Sequence, residues 1–200
     1  MVERICSEIR LCLERNFHLS ALALALILPD ICGKTEFPDE RNNNRRYTDW
    51  YDKHIGQYWQ SISKSEEDGL ADLPYLSGEL VYQLRCSFLH SGDTDIDVSR
   101  IHEEANQITV FNLKLYRYDD ILAEGTSTHL HYGKDGSVDC RRFDVNVSFL
   151  CKILSNAALD YYRTNKEQFG FFSYNIIDCT NEKEGSETKD DESSCLSDSP

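Results

Sequence analysis

The sequence predicts a mainly α protein: a helical bundle with a small antiparallel β-sheet inserted before the last long helix. Two patterns support this fold class. Apolar residues recur at spacings of three and four through most of the first 91 residues, which is typical of helices, whereas apolar and polar residues alternate within residues 106–142, which is typical of strands. Helical spacing returns after residue 145. The chain has 200 residues, 40% of them hydrophobic, so it can bury a sizeable core.

Two helices are predicted before residue 30. Residues 2–17 place apolar side chains four apart, on one face of an amphipathic helix. The leucine and alanine run that follows alternates with a period of two, but alanine is a poor strand former and an excellent helix former. We therefore expect a buried helix over residues 20–28. Ser20 is a suitable cap for its start, and Pro29 marks its end.

Two further helices are expected before the strands. Residues 47–62 carry aromatic side chains at spacings of three and four. Residues 63–74 form a polar connector. Along residues 75–90, leucines and Phe88 recur every four residues, and Gly92 stands where a helix stop is common.

Strand patterns then replace helical ones. We expect two or three antiparallel strands within residues 106–142, with a turn at residues 133–136, which read "GKDG". A last long helix is predicted over residues 145–168. Residues 171–179 read as an edge strand.

The chain is strongly acidic, with a net charge of −14. Residues 180–200 contain seven acidic residues against two lysines, which leaves a net charge of −9 on residues 1–179. We expect residues 1–179 to form one domain and residues 180–200 to form a disordered acidic tail, because the tail has too few large apolar residues to order itself. Since an acidic body repels nucleic acid at long range, any phosphate site must be local.

Localisation follows from charge and cysteine patterns. Charged residues interrupt the apolar residues of the opening segment, which argues against a signal peptide. No run approaches the roughly 18 uncharged apolar residues of a membrane span. The eight cysteines include no pair at the two-residue spacing of a zinc knuckle or redox motif. We therefore expect a soluble, cytoplasmic protein with reduced thiols and no membrane partner.

Arg85 and His90 are the residues whose chemistry is most informative. Arginine keeps its charge and presents a planar donor fork to phosphate oxygens, while histidine exchanges a proton near neutral pH. Both functions suit RNA cleavage, because a 2′-hydroxyl must lose its proton to attack the neighbouring phosphorus and the anionic phosphorane needs a fixed positive charge.

Helical geometry limits what one such pair can do. On an ideal helix, Arg85 and His90 point about 140° apart and lie about 7.5 Å apart along the axis, so one pair is expected to grip a phosphate poorly. Two copies of the helix packed across a two-fold axis would bring both pairs into one cleft. A catalytic role therefore predicts a homodimer. The structural alternative is that Arg85 forms an ion pair with Glu79 or Asp72 and that His90 caps the helix end.

A basic cluster gives a second candidate RNA contact. Residues 32–46, with a glycine, a proline and three consecutive asparagines, are expected to form a loop. This loop and the following aromatic residues present basic side chains and stacking surfaces for an RNA backbone, although interleaved acidic residues favour a solvated loop. Asp30 is expected to cap the turn that follows it. The candidate RNA-binding residues are Lys34, Arg41, Arg45, Arg46 and Tyr47, with Trp50 as a further stacking surface.

Two histidines give a metal-binding alternative. His129 and His131 would emerge on one face of a strand and would bind a metal with Asp135 or His102. Alternating polar residues on a half-exposed strand explain the pattern equally well, and a third ligand at a telling spacing is lacking. We therefore expect no metal or organic cofactor.

The sequence resembles the HEPN superfamily, whose ribonuclease members carry an arginine, four to six residues and a histidine. Here that motif reads "RCSFLH" over residues 85–90, and the segments "LALILPDICGK" and "LSGELVYQLRCSFLHSG" look like a group of bacterial HEPN-like proteins. The resemblance implies a helical bundle and a metal-independent endoribonuclease site formed by Arg85 and His90 at a dimer interface. The residue after the arginine is commonly polar in active members; here it is Cys86, with Ser87 as a nearby polar side chain.

The resemblance also implies partners and a rival function. A ribonuclease of this kind would bind RNA, form a homodimer, and act as a toxin with an antitoxin protein as partner or act in antiphage defence. The rival is a non-catalytic HEPN-like module that binds nucleotide or RNA or serves as a scaffold. The acidic surface and Cys86 favour the rival.

Overall fold

Helices form most of the structure, a computed structural model that describes residues 1–58, 75–101, 108–117 and 125–170. A π-helical segment, Asp52–Gly56, continues the fourth helix, and short 3₁₀ turns lie at Val98–Arg100 and Lys166–Phe169. The α-helices in these ranges are α1 Val2–Glu14, α2 His18–Leu26, α3 Leu28–Glu36, α4 Asn43–Tyr51, α5 Gly78–Ser91 and α6 Val147–Asn165. The prediction of a mainly α fold with a small sheet before the last long helix is confirmed.

The core lies between α2, α6 and the helices on either side of them. α1 and α2 pack on each other and on α6, α3 packs on α4, and α4 packs on α5. Aliphatic side chains fill the centre, and three aromatic rings of α4 are also fully buried. Burial of this apolar surface is the main favourable term in folding. The fully buried aromatic residues are Tyr47, Trp50 and Tyr51.

Pro29 begins a helix, so the prediction that it ends one is wrong. It lies in the first turn of α3, where a missing backbone N–H costs nothing because that N–H has no helical partner. α3 then continues to Glu36, and α4 begins at Asn43, whose cap residue Asn42 accepts a hydrogen bond from the Arg45 backbone N–H at 3.3 Å. The predicted loop over residues 32–46 is therefore confined to residues 37–42.

α5 lies close to its predicted position. Ser77 caps its start by accepting a hydrogen bond from the Leu80 backbone N–H at 3.3 Å. Gly92 follows its end with a φ of 67°, a conformation that glycine adopts readily. The Asp52 carboxylate accepts a hydrogen bond from the Gly78 backbone N–H at 2.7 Å. This contact ties the start of α5 to the π-helical segment.

The sheet is mixed, so the prediction of purely antiparallel strands is only partly correct. β1 (Val110–Lys114), β2 (Thr126–Tyr132) and β3 (Val138–Asn146) form a sheet in the order β1–β3–β2. β2 and β3 are antiparallel, whereas β1 and β3 are parallel. Alternation of apolar residues specifies which face a strand buries but not its direction, which explains the error.

The two faces of the sheet differ. Phe143 and Val145 are buried on one face of the sheet. Asp144 points to the opposite face, where it accepts hydrogen bonds at 2.7 Å from both Lys114 Nζ and Asn112 Nδ2. This buried carboxylate joins β1 to β3 by side-chain contacts in addition to the ladder.

Only some of the segments predicted after residue 145 lie within the described residues. The predicted helix over residues 145–168 corresponds to α6, whose cap residue Asn146 accepts hydrogen bonds from the backbone N–H groups of Ser148 and Phe149. Met1–Phe169 form one compact unit by their contacts. Three predicted segments lie outside the described residues: the connector at residues 63–74, the edge strand at residues 171–179 and the acidic tail at residues 180–200.

Membrane and thiol predictions can be compared with the described residues. Within these ranges one helical stretch, His18–Glu36, is long and apolar enough by composition alone to cross a membrane. Because 56% of its most apolar window is buried inside the protein, it is compatible with the core helix of a soluble protein. A cytoplasmic location stays a prediction. The free cysteines of the described residues are Cys6, Cys12, Cys32, Cys86, Cys140 and Cys151.

The close approach of α3 and α4 gives a stability test. A Cβ added at Gly33 would lie 2.7 Å from the Arg46 carbonyl oxygen, so the two helix backbones would have to separate. We expect Gly33→Ala to lower the free energy of unfolding by about 1–3 kcal/mol despite the better helix propensity of alanine. Urea denaturation measures this change. Ser20→Ala, on the exposed face of α2, is the control and should change stability by no more than about 0.5 kcal/mol. Equal values for both variants would contradict the close approach.

Asp144 predicts a dependence of stability on pH. Burial raises the pKa of its carboxyl group, but hydrogen bonds from Lys114 and Asn112 outweigh burial, so the pKa lies below its ordinary value. A lowered pKa stabilises the fold above the unfolded pKa of about 3.9, and this contribution is lost as the pH falls through the folded pKa. We expect wild type to lose more stability between neutral and acidic pH than Asp144→Asn or Lys114→Met, as measured by urea denaturation at each pH. Identical pH profiles would contradict this assignment.

Candidate functional site

The side chains of Arg85 and His90 contact each other on the surface of α5. Arg85 Nη1 lies 3.1 Å from His90 Nε2. The long arginine side chain spans the rotation of about 140° between the two helix positions. That one pair grips a phosphate poorly stays a prediction. Since a guanidinium only donates hydrogen bonds, the facing imidazole nitrogen must accept. In this arrangement His90 is neutral, with its proton on Nδ1.

Asp30 is the second partner of Arg85. Arg85 Nε donates a hydrogen bond to Asp30 Oδ2 at 2.9 Å, and both side chains are about three-quarters buried, with 22% and 25% exposed. The expectation that Asp30 caps a local turn is therefore wrong, because its carboxylate pairs with Arg85. The alternative partner Glu79 makes no ion pair with Arg85, and the other, Asp72, lies outside the described residues. The Asp30–Arg85 pair joins the first turn of α3 to α5.

Burial and charge act in opposite directions on this pair. Burial is the largest effect on the Asp30 carboxyl group and raises its pKa, whereas Arg85 and, more weakly, Arg46 lower it without cancelling the rise. Burial lowers the pKa of Arg85, but the charge and hydrogen bond of Asp30 more than offset this, so its pKa is raised. Both directions describe a carboxylate that is costly to bury and is retained by arginine charges around it.

The residues next to Arg85 have separate roles. The Cys86 thiol raises the pKa of both Arg85 and Tyr82. It therefore lies close to the guanidinium, at the position where HEPN ribonucleases commonly carry a polar residue. Ser87 instead donates its hydroxyl to the Asp95 carbonyl oxygen at 2.7 Å. This hydrogen bond holds the loop that follows α5. Among the described residues, no hydrogen bond joins Ser87 to Arg85 or His90 in support of its predicted role in the site.

Most of the predicted basic cluster is engaged in local contacts. Arg45 lies 3.5 Å from carboxylate oxygens of both Glu40 and Asp49. Arg46 Nη1 donates to the Glu40 carbonyl oxygen at 3.1 Å, and its Nη2 donates to Asn43 Oδ1. Lys34 and Arg41 are exposed. Only Arg46 acts on the charge of Asp30, so it is the member of the cluster that the fold brings towards Arg85.

The aromatic members of that cluster do not face solvent. Tyr47 and Trp50 are fully buried, so the prediction that they offer stacking surfaces to RNA is wrong. The Tyr47 hydroxyl donates to the Leu26 carbonyl oxygen at 3.2 Å, and its ring packs edge-on against Tyr82. These aromatic side chains form the packing face of α4.

The predicted histidine pair lies on β2. His129 Nε2 is 3.5 Å from Asp144 Oδ2, and Asp135 accepts hydrogen bonds from Ser137. Among the described residues there is no group of three or more histidine, cysteine or acidic side chains that could hold a metal ion. His102 lies outside these residues, so the metal alternative that uses it stays a prediction.

Sequence reasoning missed a charged cluster beside α6. Glu36 accepts hydrogen bonds from Lys53 Nζ and, at 2.7 Å, from His54 Nε2. Its partners lie on the π-helical segment and line a cleft of about 560 Å³ with Tyr161. A π-helix has a wider turn than an α-helix and often occurs at functional sites. Its residues follow no simple spacing by which the sequence would reveal it. Asp30 did carry a signal, since a carboxylate in an apolar helix requires a cationic partner.

Comparison with protein-family models, with curated proteins and with solved structures finds no match to this chain.

A double-mutant cycle measures the Asp30–Arg85 interaction. Asp30→Ala would leave the mostly buried guanidinium without its carboxylate, and Arg85→Ala would do the reverse. We expect the loss of unfolding free energy in the double variant to be smaller than the sum of the two single losses by about 1 kcal/mol or more. Arg4 and Glu8, an exposed pair on α1 with atoms 3.2 Å apart, provide the matched cycle, with an expected coupling below about 0.5 kcal/mol. Equal coupling in the two cycles would rule out a special role for burial at Asp30.

Proposed function

We propose that the protein is a metal-independent endoribonuclease of the HEPN type, active in the cytoplasm as a homodimer. The contact between Arg85 and His90 is the observation that supports this proposal most directly. It joins a permanent cation to a neutral imidazole at the solvent-facing end of a helix. RNA cleavage needs both groups at one phosphate.

Arg85 would bind the scissile phosphate and stabilise the phosphorane. Its guanidinium has five N–H donors, of which Asp30 and His90 occupy two. The remaining donors can contact phosphate oxygens. Asp30 fixes the direction of the guanidinium, which reduces the entropy lost when the phosphate binds.

His90 would accept the proton of the 2′-hydroxyl. A phosphate that takes the place of His90 on Nη1 releases the Nε2 lone pair, which is then the acceptor for that proton. The 2′-oxygen attacks phosphorus and the P–O5′ bond breaks. The leaving 5′-oxygen takes a proton from solvent water and the protonated His90 returns its proton to solvent, so the products carry a 2′,3′-cyclic phosphate and a 5′-hydroxyl. This mechanism needs no metal, because the positive charge comes from arginine.

The homodimer places a second pair in the same site. Arg85 and His90 of one chain already contact each other, so the partner is not needed to form the pair. It would instead add a second guanidinium to bind the flanking phosphate, as the two-fold arrangement expected from the sequence provides. The proposed biological setting is a toxin held by an antitoxin protein, or a component of antiphage defence.

Non-catalytic binding of nucleotide or RNA is the second candidate function. One observation favours it: Arg85 is held by Asp30, so its charge is already partly compensated. In that case the site would bind a phosphate without cleaving it. Binding of RNA by wild type without strand scission would decide for this candidate.

Cleavage assays in chelator test the nuclease. We expect wild type to cut single-stranded RNA, with loss of at least about 100-fold in rate for His90→Ala, because a positioned acid–base group contributes about 10²–10⁴-fold. Arg85→Ala should lose comparable activity, and Arg85→Lys should recover part of it. Arg10→Ala, an exposed arginine on α1, is the matched control and should cleave as wild type does. RNA with 2′-deoxy sugars should resist cleavage.

Mixed dimers test the arrangement of the pair. Arg85→Ala and His90→Ala chains, mixed so that they exchange, contain no intact pair within one chain. Absence of activity in the mixture supports a pair within one chain, whereas recovery supports a pair across the interface. Equal cleavage by wild type and His90→Ala, or a strictly monomeric active enzyme by light scattering, would overturn the respective part of the proposal.

A further inference from the structure

The side of the sheet opposite Phe143 and Val145 carries polar side chains from all three strands. The register pairs His129 with Arg142 across β2 and β3, and pairs Asn112 with Asp144 across β1 and β3. Because side chains on a strand alternate between faces, Lys114 and His131 lie on this same side. We call the surface formed by Lys114, His129, His131 and Arg142 the open sheet face.

The charge on this face is positive, although the whole chain is acidic. The side chains of Arg142 and His131 are exposed and make no hydrogen bond or ion pair with the described residues. Asp144 is the acidic residue of β3 on this side, and its side chain is only 3% exposed and is covered by Lys114 and His129. The charge presented to solvent is therefore that of Arg142, together with the donors of the two histidines.

An extended polyanion fits this arrangement better than a small anion does. Directly opposed side chains on neighbouring strands are about 5 Å apart, and alternate residues of one strand are about 6–7 Å apart, so the donors form a row and not a pocket. Tyr132 follows His131 in β2 and so points to the other face of the sheet, which leaves the cationic and histidine side chains as the binding groups of this face. A row of positive charge that follows the sugar–phosphate backbone is a usual part of single-stranded nucleic-acid binding.

We infer that the open sheet face binds the sugar–phosphate backbone of single-stranded RNA. The inference rests on the proposed function in one respect, since it takes the bound strand to be the substrate of the ribonuclease. It assigns a role to the strands, which lie outside the helical bundle that the HEPN resemblance covers. Arg142 carries the phosphate contact, and the histidines donate to neighbouring oxygens.

Fluorescence anisotropy with a labelled single-stranded RNA of about 12 nucleotides, within the usual site size, tests the inference. All proteins carry His90→Ala, so that the RNA stays intact. We expect added Arg142→Gln to weaken binding by about fivefold or more and to reduce the slope of log affinity against log salt by about 0.7, the value for one phosphate contact to a single strand.

Arg141→Gln is the matched control. Arg141 is the neighbouring residue of β3, carries the same charge and points to the other face of the sheet. It should leave affinity and salt slope unchanged. Equal effects of Arg141→Gln and Arg142→Gln would overturn the inference, because a general loss of positive charge would then explain both. Loss of affinity for phosphatidylserine vesicles without loss for RNA would also overturn it, since the occupant would then be a membrane.

Cleavage by otherwise wild-type chains separates this inference from the proposed function. If His90→Ala abolishes cleavage while Arg142→Gln alters neither RNA affinity nor KM, only the sheet inference fails. If no chain cleaves RNA but Arg142→Gln weakens binding, only the nuclease fails. Circular dichroism should show the same helix and strand content for Arg142→Gln and Arg141→Gln, so that unfolding does not account for a difference.

Discussion

The ion pair between Asp30 and Arg85 is the interaction on which the candidate site depends. A carboxylate in the first turn of α3, three-quarters buried, is unfavourable unless a cation compensates it. Arg85 supplies that cation from α5, and the same guanidinium reaches His90. One charge therefore holds two helices together and sets the direction of the donor that would meet a phosphate. Removing either partner affects stability and the site at once, which is why conservative variants are needed to separate the two effects.

The helices could be predicted from the sequence because their signals are local. Alternating leucine and alanine, Ser77 before α5 and Gly92 after it each act within a few residues. The errors lie where local signals have two meanings. Proline is compatible with the end of one helix or the first turn of the next, and both readings of Pro29 satisfy the spacing around it. Packing decides that Pro29 begins a helix, because α3 buries Cys32 in the core.

The site itself could be predicted only in part. Arg85 and His90 were recognisable by their chemistry and spacing, but Asp30 lies 55 positions from Arg85 in the chain, and no periodicity connects them. An ideal helical wheel also fails here, because it gives the directions of Cβ atoms and not the reach of an arginine side chain. The aromatic residues of α4 show the converse error: their place beside the basic cluster suggested a stacking surface, whereas Tyr47 and Trp50 supply buried packing. Spacing identifies a face of a helix but does not say whether that face meets solvent.

Local charge can support an RNA-directed function in this acidic chain. The net charge of −14 opposes approach of a polyanion from a distance, but this repulsion is screened beyond about 8–10 Å at physiological salt. At contact, the nearest groups dominate. Asp144 has its charge compensated by Lys114, and Asp30 by Arg85, so the acids closest to the two candidate surfaces contribute little net field. The distant acids would slow association and disfavour duplexes, which have a higher charge density than single strands. An acidic body whose two candidate surfaces each present one arginine, Arg85 or Arg142, would therefore suit a flexible single strand better than double-stranded nucleic acid.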